Sequence, residues 1–316
     1  MPDGGGPEIK VSVTARGWGA DGAHDPAQSL DAGRRAEAAG LDGVHTGDHV
    51  TFYGKGTDGL LTLASIAAVT ERIELKTSVY LLPLRHPVPV AKQVATLDHL
   101  SGGRVVFGVG VGGEFPGEYA ACGIPVGERG ARLSEAIPLL KKLFTGESVS
   151  ADGRFYPIPE TRLLPVPKQP GGPPIWCGGR SEPALRRTGA MADGWVSYVV
   201  TPEQYGAGLE KIATAAAAAG RVHESFGTSH LLFMRIDDDY DAALDAATEH
   251  LSMRYAMDFR RAAQRYAALG KPADVAARIA EYREAGVRHF ILDCTGPYED
   301  RDAQLERFAR EVRPLL

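Results

Sequence analysis

The hydrophobic pattern of the chain alternates between two periods along almost its whole length. Short runs rich in β-branched residues predict buried strands, and the longer amphipathic segments between them predict helices. The predicted strands are 9–13, 41–44, 73–80, 104–109, 174–177, 194–199, 229–236 and 287–292. The predicted helices are 27–40, 59–70, 88–100, 129–144, 182–191, 202–220, 273–285 and 301–312. The pattern therefore predicts eight successive βα units.

These units predict a single α/β domain over residues 1–316. Strands that alternate with helices form a parallel sheet, and eight units allow that sheet to close into a (β/α)8 TIM barrel. An open doubly wound sheet is the alternative, but such a sheet normally stops at about six strands. The segment 145–174 is rich in Pro and Gly, which predicts an excursion from the barrel rather than a linker.

Composition narrows the class of protein. Hydrophobic residues make up 44% of the chain and charged residues 24%, and the formal net charge is −5. A chain of this charge lacks the basic face that nucleic acids and anionic membranes require, so neither is expected as a partner. The three cysteines form no CxxC pair, which predicts neither a disulfide framework nor a metal site. Without a signal peptide or a long apolar run, we expect a cytoplasmic protein.

The first candidate site residues follow the second predicted strand, in His45-Thr-Gly-Asp-His49. In TIM barrels the site lies at the C-terminal ends of the strands, called the mouth here. A spacing of four suits two metal ligands on a helix, but this segment leaves a strand. We therefore predict one ionisable histidine that points into the mouth and is poised by Asp48. The alternative is a loop-capping Asp48 and a surface histidine.

Two glycine-rich segments follow later strands. Gly108-Val-Gly-Val-Gly-Gly113 comes after the fourth strand, and the following Phe-Pro-Gly is not expected to open a helix at once. This context differs from that of a Rossmann loop. The segment therefore predicts either a backbone without side chains, against which a flat ligand can lie, or a flexible loop. Trp176-Cys-Gly-Gly-Arg-Ser181 leads directly into a helix, whose N-terminus predicts a phosphate site. Ser181 as a simple N-cap is the alternative.

Taken in order, these segments resemble the luciferase-like monooxygenase superfamily, and within it the branch that depends on the deazaflavin coenzyme F420. The resemblance covers essentially the whole chain. Its most specific parts are 84–87, 95–98, 100–104 with 108–112, and 174–181 through 193–195. The resemblance implies a luciferase-like (β/α)8 barrel with loop insertions, with the cofactor in the mouth, and a homodimer.

The resemblance also implies roles for individual residues. The cofactor-binding residues would be Asp48, Ser78, Val79, Gly110, Gly112, Gly113, Gly178, Gly179, Arg180 and Ser181, with a non-prolyl cis peptide at Ser78–Val79 and the phosphate held at 178–181. His49 would be the proton-transfer or polarising residue and Glu114 the second catalytic group. An extra glycine makes Glu118 a competing candidate for that acid. The pocket wall would include Trp18, Phe52, Tyr80 and Phe115, and the alternative for each of these aromatics is an ordinary core position.

The function implied is hydride transfer between F420 and a small organic substrate. A deazaflavin carries hydride, so the protein must position a substrate carbon and move one proton. The nearest alternative is an FMN-dependent two-component monooxygenase on the same fold. A hydrolase is a further alternative, but paired carboxylates or a metal cluster at the strand ends are not evident. A cofactor-binding protein without turnover is another. The sequence does not identify the substrate.

Overall fold

The computed structural model describes residues 9–15, 26–52, 56–112, 115–222 and 225–316. Within these ranges the chain forms eleven strands. They are β1 (Lys10–Thr14), β2 (Gly43–Thr46), β3 (Glu74–Thr77), β4 (Val105–Val109), β5 (Ser148–Ala151), β6 (Ile158–Arg162), β7 (Ile175–Gly178), β8 (Gly194–Tyr198), β9 (Gly227–Ile236), β10 (Ala268–Gly270) and β11 (His289–Cys294).

Eight of these strands close into a parallel barrel in the order β1-β2-β3-β4-β7-β8-β9-β11, with β11 paired back to β1. The prediction of a (β/α)8 TIM barrel is thus confirmed. The short strand β10 extends the sheet beyond β9. The predicted excursion holds an antiparallel hairpin of β5 and β6 that stays outside the barrel.

Eleven α-helices lie within the described ranges. They are α1 (Pro26–Ala38), α2 (Gly59–Ala67), α3 (Pro87–Leu100), α4 (Pro116–Ala121), α5 (Arg129–Phe144), α6 (Glu182–Met191), α7 (Pro202–Ala218), α8 (Tyr240–Tyr255), α9 (Arg260–Tyr266), α10 (Pro272–Glu284) and α11 (Arg301–Arg307). After α11 the predicted terminal helix continues as a π-helical turn, Phe308–Val312. None of the described helices is long and apolar enough to cross a membrane.

Proline explains where several helices begin. In α3, α4, α7 and α10 it is the first residue of the helix. Its fixed φ suits the helix, and its missing N–H would have had no partner there. This corrects one prediction: the segment after Phe115 opens a helix at once, because Pro116 occupies that first position of α4. The consequence is functional, since α4 carries Glu118 to the mouth.

The barrel interior is apolar at mid-height and polar at both ends. Val106, Trp176, Val196 and Ile291 form one buried cluster from four different strands. Such layers of large side chains fill the interior of a TIM barrel. The polar groups below and above this layer are therefore separated from each other, and only the upper group borders the mouth.

Candidate active site

A cavity of about 250 Å³ opens at the C-terminal ends of the barrel strands. Its walls come from the ends of β2, β3, β4, β7 and β8 and from the segments that follow them. Its floor comes from Thr14 of β1, His45 of β2 and Asp293 of β11, together with Arg254 and Arg301 from two helices. This is the end of the barrel at which TIM-barrel enzymes carry their sites, and most of the predicted site residues lie there.

His49 is hydrogen-bonded to Glu118 at the rim of the cavity. The imidazole Nδ1 lies 2.9 Å from Glu118 Oε1, and the Val50 N–H donates to Glu118 Oε2 at 2.9 Å. The Glu118 side chain is fully buried, whereas the His49 side chain is 20% exposed and lines the cavity. The structure thus pairs the predicted histidine with the competing acid. Glu114 lies outside the described residues.

Glu118 is held as a carboxylate. Burial alone would raise its pKa, but the hydrogen bonds from His49 and the Val50 N–H bring the pKa below the usual value. A carboxylate at Oε1 can only accept, so the hydrogen bond places a proton on His49 Nδ1. The Nε2 side of the ring is therefore the side from which His49 can contact a substrate.

Asp48 does not poise His49. Its carboxylate instead accepts from Arg85, at 2.5 and 3.0 Å, and from the Leu81 N–H at 2.8 Å. The Arg85 guanidinium also lies over the Tyr80 ring, 4.3 Å from its centroid. Asp48 borders the cavity, but its hydrogen bonds fix the backbone after β3. This corrects the prediction that Asp48 acts on the histidine.

The peptide bond between Ser78 and Val79 is cis, as the resemblance implies. The Val79 side chain then packs between two glycines. A Cβ on Gly110 would lie 2.3 Å from Val79 Cγ2, and one on Gly178 would lie 2.6 Å from Val79 Cγ1. A Cβ on Gly112 would lie 2.9 Å from Leu81. These glycines therefore make room for the segment after β3, which in turn forms the wall of the cavity.

The segment from β7 to α6 lies beside the cavity. Gly178 and Gly179 line it, and Trp195 Nε1 donates to the Gly179 carbonyl at 2.7 Å. Ser181 precedes α6, but its side chain makes no capping hydrogen bond. Arg180 is exposed: its guanidinium lies over the Tyr198 ring and borders a neighbouring cavity. The N-terminal N–H groups of α6 thus stand at the edge of the mouth, where an anion is favoured.

The predicted pocket wall is only partly assembled. Phe52 lines the cavity and stacks on His49, with ring centroids 4.2 Å apart. Phe115 contacts Phe52 edge to face at 6.3 Å. Tyr80 is 1% exposed and lies beneath Arg85, so it is not brought to the cavity. Trp18 and Gly113 lie outside the described residues.

The floor contains a charged group that the sequence analysis missed. Asp293 at the end of β11 accepts from Arg254 at 2.5 Å and from Arg301 at 3.1 Å. Burial would raise the pKa of Asp293, but the two arginines hold it well below its usual range. Asp293 could have been found, since it ends a barrel strand. Arg254 and Arg301 come from α8 and α11, whose approach to the floor depends on tertiary packing.

His45 is the second residue of the floor. It is 2% exposed, and its Nε2 lies 2.7 Å from Thr14 Oγ1. Its Nδ1 and the Oγ of Ser78 are buried and have no hydrogen-bond partner among the described residues. Buried polar atoms are nearly always paired in folded proteins. Two such atoms in the lining of one cavity fit a flat ligand with polar edges, which is what a flavin or deazaflavin ring offers.

Comparisons with known proteins show the family of the chain. The model of the family described as luciferase-like monooxygenase matches residues 8–289. The F420-dependent glucose-6-phosphate dehydrogenase of Microbacterium testaceum is 30% identical over an alignment of 321 positions. The alignment covers 92% of this chain and 94% of the relative. The enzyme of the same name from Kribbella flavida is 30% identical over 317 residues, or 89% of this chain and 92% of the relative.

Solved structures show the same fold. An F420-dependent secondary alcohol dehydrogenase, in complex with an F420-acetone adduct, superposes with a TM-score of 0.85 at 19% identity, over 98% of this chain and 99% of the other. The monooxygenase RslO1 from Streptomyces bottropensis superposes with a TM-score of 0.83 at 25% identity, over 97% and 99%. With a family model matching most of its length, the chain belongs to the luciferase-like monooxygenase family of enzymes.

Proposed function

We propose that this protein uses coenzyme F420 to transfer a hydride to or from a small organic substrate bound in the mouth. The observation that carries the proposal is the His49–Glu118 pair at the rim, 2.9 Å between Nδ1 and Oε1. Relatives named as F420-dependent glucose-6-phosphate dehydrogenases, similar over about nine tenths of the chain, support the choice of cofactor.

The residues of the mouth suit such a cofactor. Its ring would lie against the Ser78–Val79 segment, and its phosphate would lie at the N-terminus of α6, beside Gly178 and Gly179. When bound, the deazaflavin supplies a carbon that accepts or donates a hydride. A deazaflavin activates oxygen poorly. The protein's own task is then to orient the substrate, exclude water and move one proton.

His49 would move that proton. The Glu118 carboxylate orients the imidazole through Nδ1, so that Nε2 takes the proton when the substrate loses a hydride, or returns it in the opposite direction. Phe52 stacks on the same ring and limits the orientation of the imidazole. A buried carboxylate beside the histidine stabilises the protonated ring that forms during the reaction.

The floor favours a substrate with an anionic group. Arg254 and Arg301 carry two positive charges against the single negative charge of Asp293, and all three line the cavity. The named relatives act on glucose 6-phosphate, which carries such a group. A phosphorylated sugar is therefore the first substrate class to assay.

The test of the cofactor is a fluorescence titration of the purified protein with oxidised F420 and, in parallel, with FMN. We expect saturable binding of the deazaflavin and much weaker binding of FMN. Binding of FMN alone, with oxygen consumed during turnover, would replace this proposal with a flavin monooxygenase. Binding of neither compound would remove the proposal.

The proton-transfer role is tested by His49→Ala. We expect kcat to fall by about 10²–10⁴-fold, because general acid–base catalysis contributes about that much. The dissociation constant of F420 should change little. Glu118→Gln should lower kcat less, since it keeps a hydrogen-bonding group beside the ring. The matched control is His99→Ala on the exposed face of α3, which should leave kcat unchanged. Wild-type kcat in His49→Ala would contradict the assignment.

A further inference from the structure

The mouth presents two side chains from neighbouring strands, each with a buried polar atom. His45 lies near the end of β2, and Ser78 directly follows β3. The two strands are paired in parallel, and the Ser78 N–H donates to the Thr46 carbonyl at 2.8 Å. Both side chains line the cavity.

The tautomer of His45 depends on where the Thr14 hydroxyl donates its proton. Thr14 Oγ1 lies 2.7 Å from His45 Nε2 and 3.4 Å from the Leu292 carbonyl oxygen, which can only accept. When the hydroxyl donates to that carbonyl, Nε2 of His45 donates to Thr14 Oγ1. The proton of the neutral ring is then on Nε2, and Nδ1 is a bare acceptor.

The ring is also neutral. Burial lowers the pKa of His45 to about 3, and the positive charges of Lys76, Arg301 and Arg254 add to this effect while Asp293 opposes it. A neutral acceptor buried without a partner costs free energy, which a ligand N–H or O–H would recover. Ser78 Oγ also lines the cavity and has no partner among the described residues, and its hydroxyl can donate to a ligand carbonyl.

An N–H beside a carbonyl is the edge of a cyclic imide. The pyrimidinedione end of a flavin or deazaflavin ring carries this group. We propose that His45 Nδ1 accepts the imide N–H of the bound cofactor while Ser78 Oγ donates to the adjacent imide carbonyl, so that both residues set the depth and direction of the ring. The proposal rests on the proposed function, because it assigns the polar contacts of the same cofactor.

The experiment compares two substitutions and one altered ligand. Titration with oxidised F420 measures the dissociation constant for wild type, for His45→Ala, which removes the acceptor, and for His45→Asn, whose amide oxygen can replace Nδ1. The same titrations use an analogue methylated on the imide nitrogen. Thermal unfolding of each variant checks that the fold is retained, and ¹⁵N NMR of histidine-labelled protein reports the tautomer of His45.

We expect His45→Ala to weaken F420 binding about fivefold or more, as for one lost hydrogen bond, and His45→Asn to recover most of this loss. Methylation of the imide should weaken binding to wild type but not to His45→Ala. The NMR spectrum should show the Nε2–H tautomer. The titration of wild type with the methylated analogue and the NMR spectrum of wild type require no substitution. Both results are therefore obtained even if a substitution prevents folding.

Three results would overturn the proposal. The first is an unchanged dissociation constant in a folded His45→Ala protein, with F420 still bound by wild type; this leaves the proposed function intact. The second is an Nδ1–H tautomer, since that ring cannot accept at Nδ1. The third is absence of F420 binding to wild type, which would remove the proposed function as well.

Discussion

The two polar ends of the barrel interior differ in how their side chains find partners. Below the apolar layer, Lys76, His289, Ser12 and Glu74 form what we call the lower cluster. Lys76 Nζ lies 2.9 Å from His289 Nδ1 and 3.1 Å from Glu74 Oε1, and His289 Nε2 bonds Ser12 Oγ. The Lys76 ammonium also sits 4.0 Å from the centre of the Trp176 ring. Each side chain of the lower cluster has a polar partner within the protein: Glu74 Oε1 makes no hydrogen bond with the described residues, but it forms an ion pair with Lys76.

The mouth is the opposite case. His45 and Ser78 each keep one buried polar atom without a partner among the described residues. Both ends contain a buried histidine, so burial and residue type alone do not distinguish structure from function. The difference lies in polar partners of any kind: groups paired within the protein, by a hydrogen bond or an ion pair, stabilise the fold, whereas groups left for a ligand contribute to binding.

The largest effect on stability is expected from Lys76→Met. The substitution removes the ammonium group, so Glu74 loses its ion pair with Lys76 and His289 loses its hydrogen bond at Nδ1. Breaking a buried pair by removing one partner typically costs about 3 kcal/mol or more, so the free energy of unfolding should fall by about 3 kcal/mol in a denaturant titration. The affinity for F420 should stay at its wild-type value.

The control for this substitution is Lys142→Met, at an exposed position of α5, which should change the free energy of unfolding by less than about 0.5 kcal/mol. If Lys76→Met weakened F420 binding while the stability stayed unchanged, the lower cluster would belong to the site, and the contrast drawn between the two ends would be wrong.

A somewhat smaller effect is expected from Gly110→Ala, which acts on the mouth. The new Cβ would lie 2.3 Å from Val79 Cγ2, so the wall after β3 must shift. Overpacking of this kind costs about 1–3 kcal/mol, and the displaced wall should also weaken F420 binding. Gly127→Ala is the matched control, because a Cβ there meets nothing within 4 Å. Equal effects of the two substitutions on F420 binding would show that Val79 does not shape the cofactor site.

The barrel was predictable because the sequence patterns that indicate its strands and helices are local. Strand and helix periods alternate along the chain, and prolines mark the first turns of α3, α7 and α10. His49 was identified from a motif at the end of a strand. Its partner was predictable only as a choice between Glu114 and Glu118, because the extra glycine in the loop hides which acid faces the histidine.

The floor was not predictable in the same way. Arg254 reaches Asp293 from a helix 39 residues earlier in the chain, and no sequence period indicates that contact. His45 was visible in the sequence, but its role depends on which of its nitrogens Thr14 occupies. Such assignments require the three-dimensional arrangement of strands that are far apart in sequence.

The last prediction concerns pH rather than a single substitution, and it applies equally to the two ends. Burial lowers the pKa of His45 to about 3 and that of His289 well below 6.5, so both rings stay neutral in the folded protein. The unfolded chain binds a proton at each below about pH 6.5, so it holds more protons than the folded chain. Stability should therefore fall as pH decreases from about 6.5 towards 3, by up to about 1.4 kcal/mol per pH unit for each histidine.

The measurement is the free energy of unfolding of wild type, His45→Asn and His289→Asn between pH 4 and 8. Each substitution removes one titrating group, so each should make the free energy of unfolding change less steeply with pH below about pH 6.5, by a similar amount. Above about pH 7 the plots of the free energy of unfolding against pH should run parallel for the three proteins. A reduced slope in His289→Asn but not in His45→Asn would mean that the ring in the mouth is protonated in the folded protein. Nδ1 could then not serve as an acceptor, and the contrast between a self-paired lower cluster and a ligand-binding floor would need another explanation.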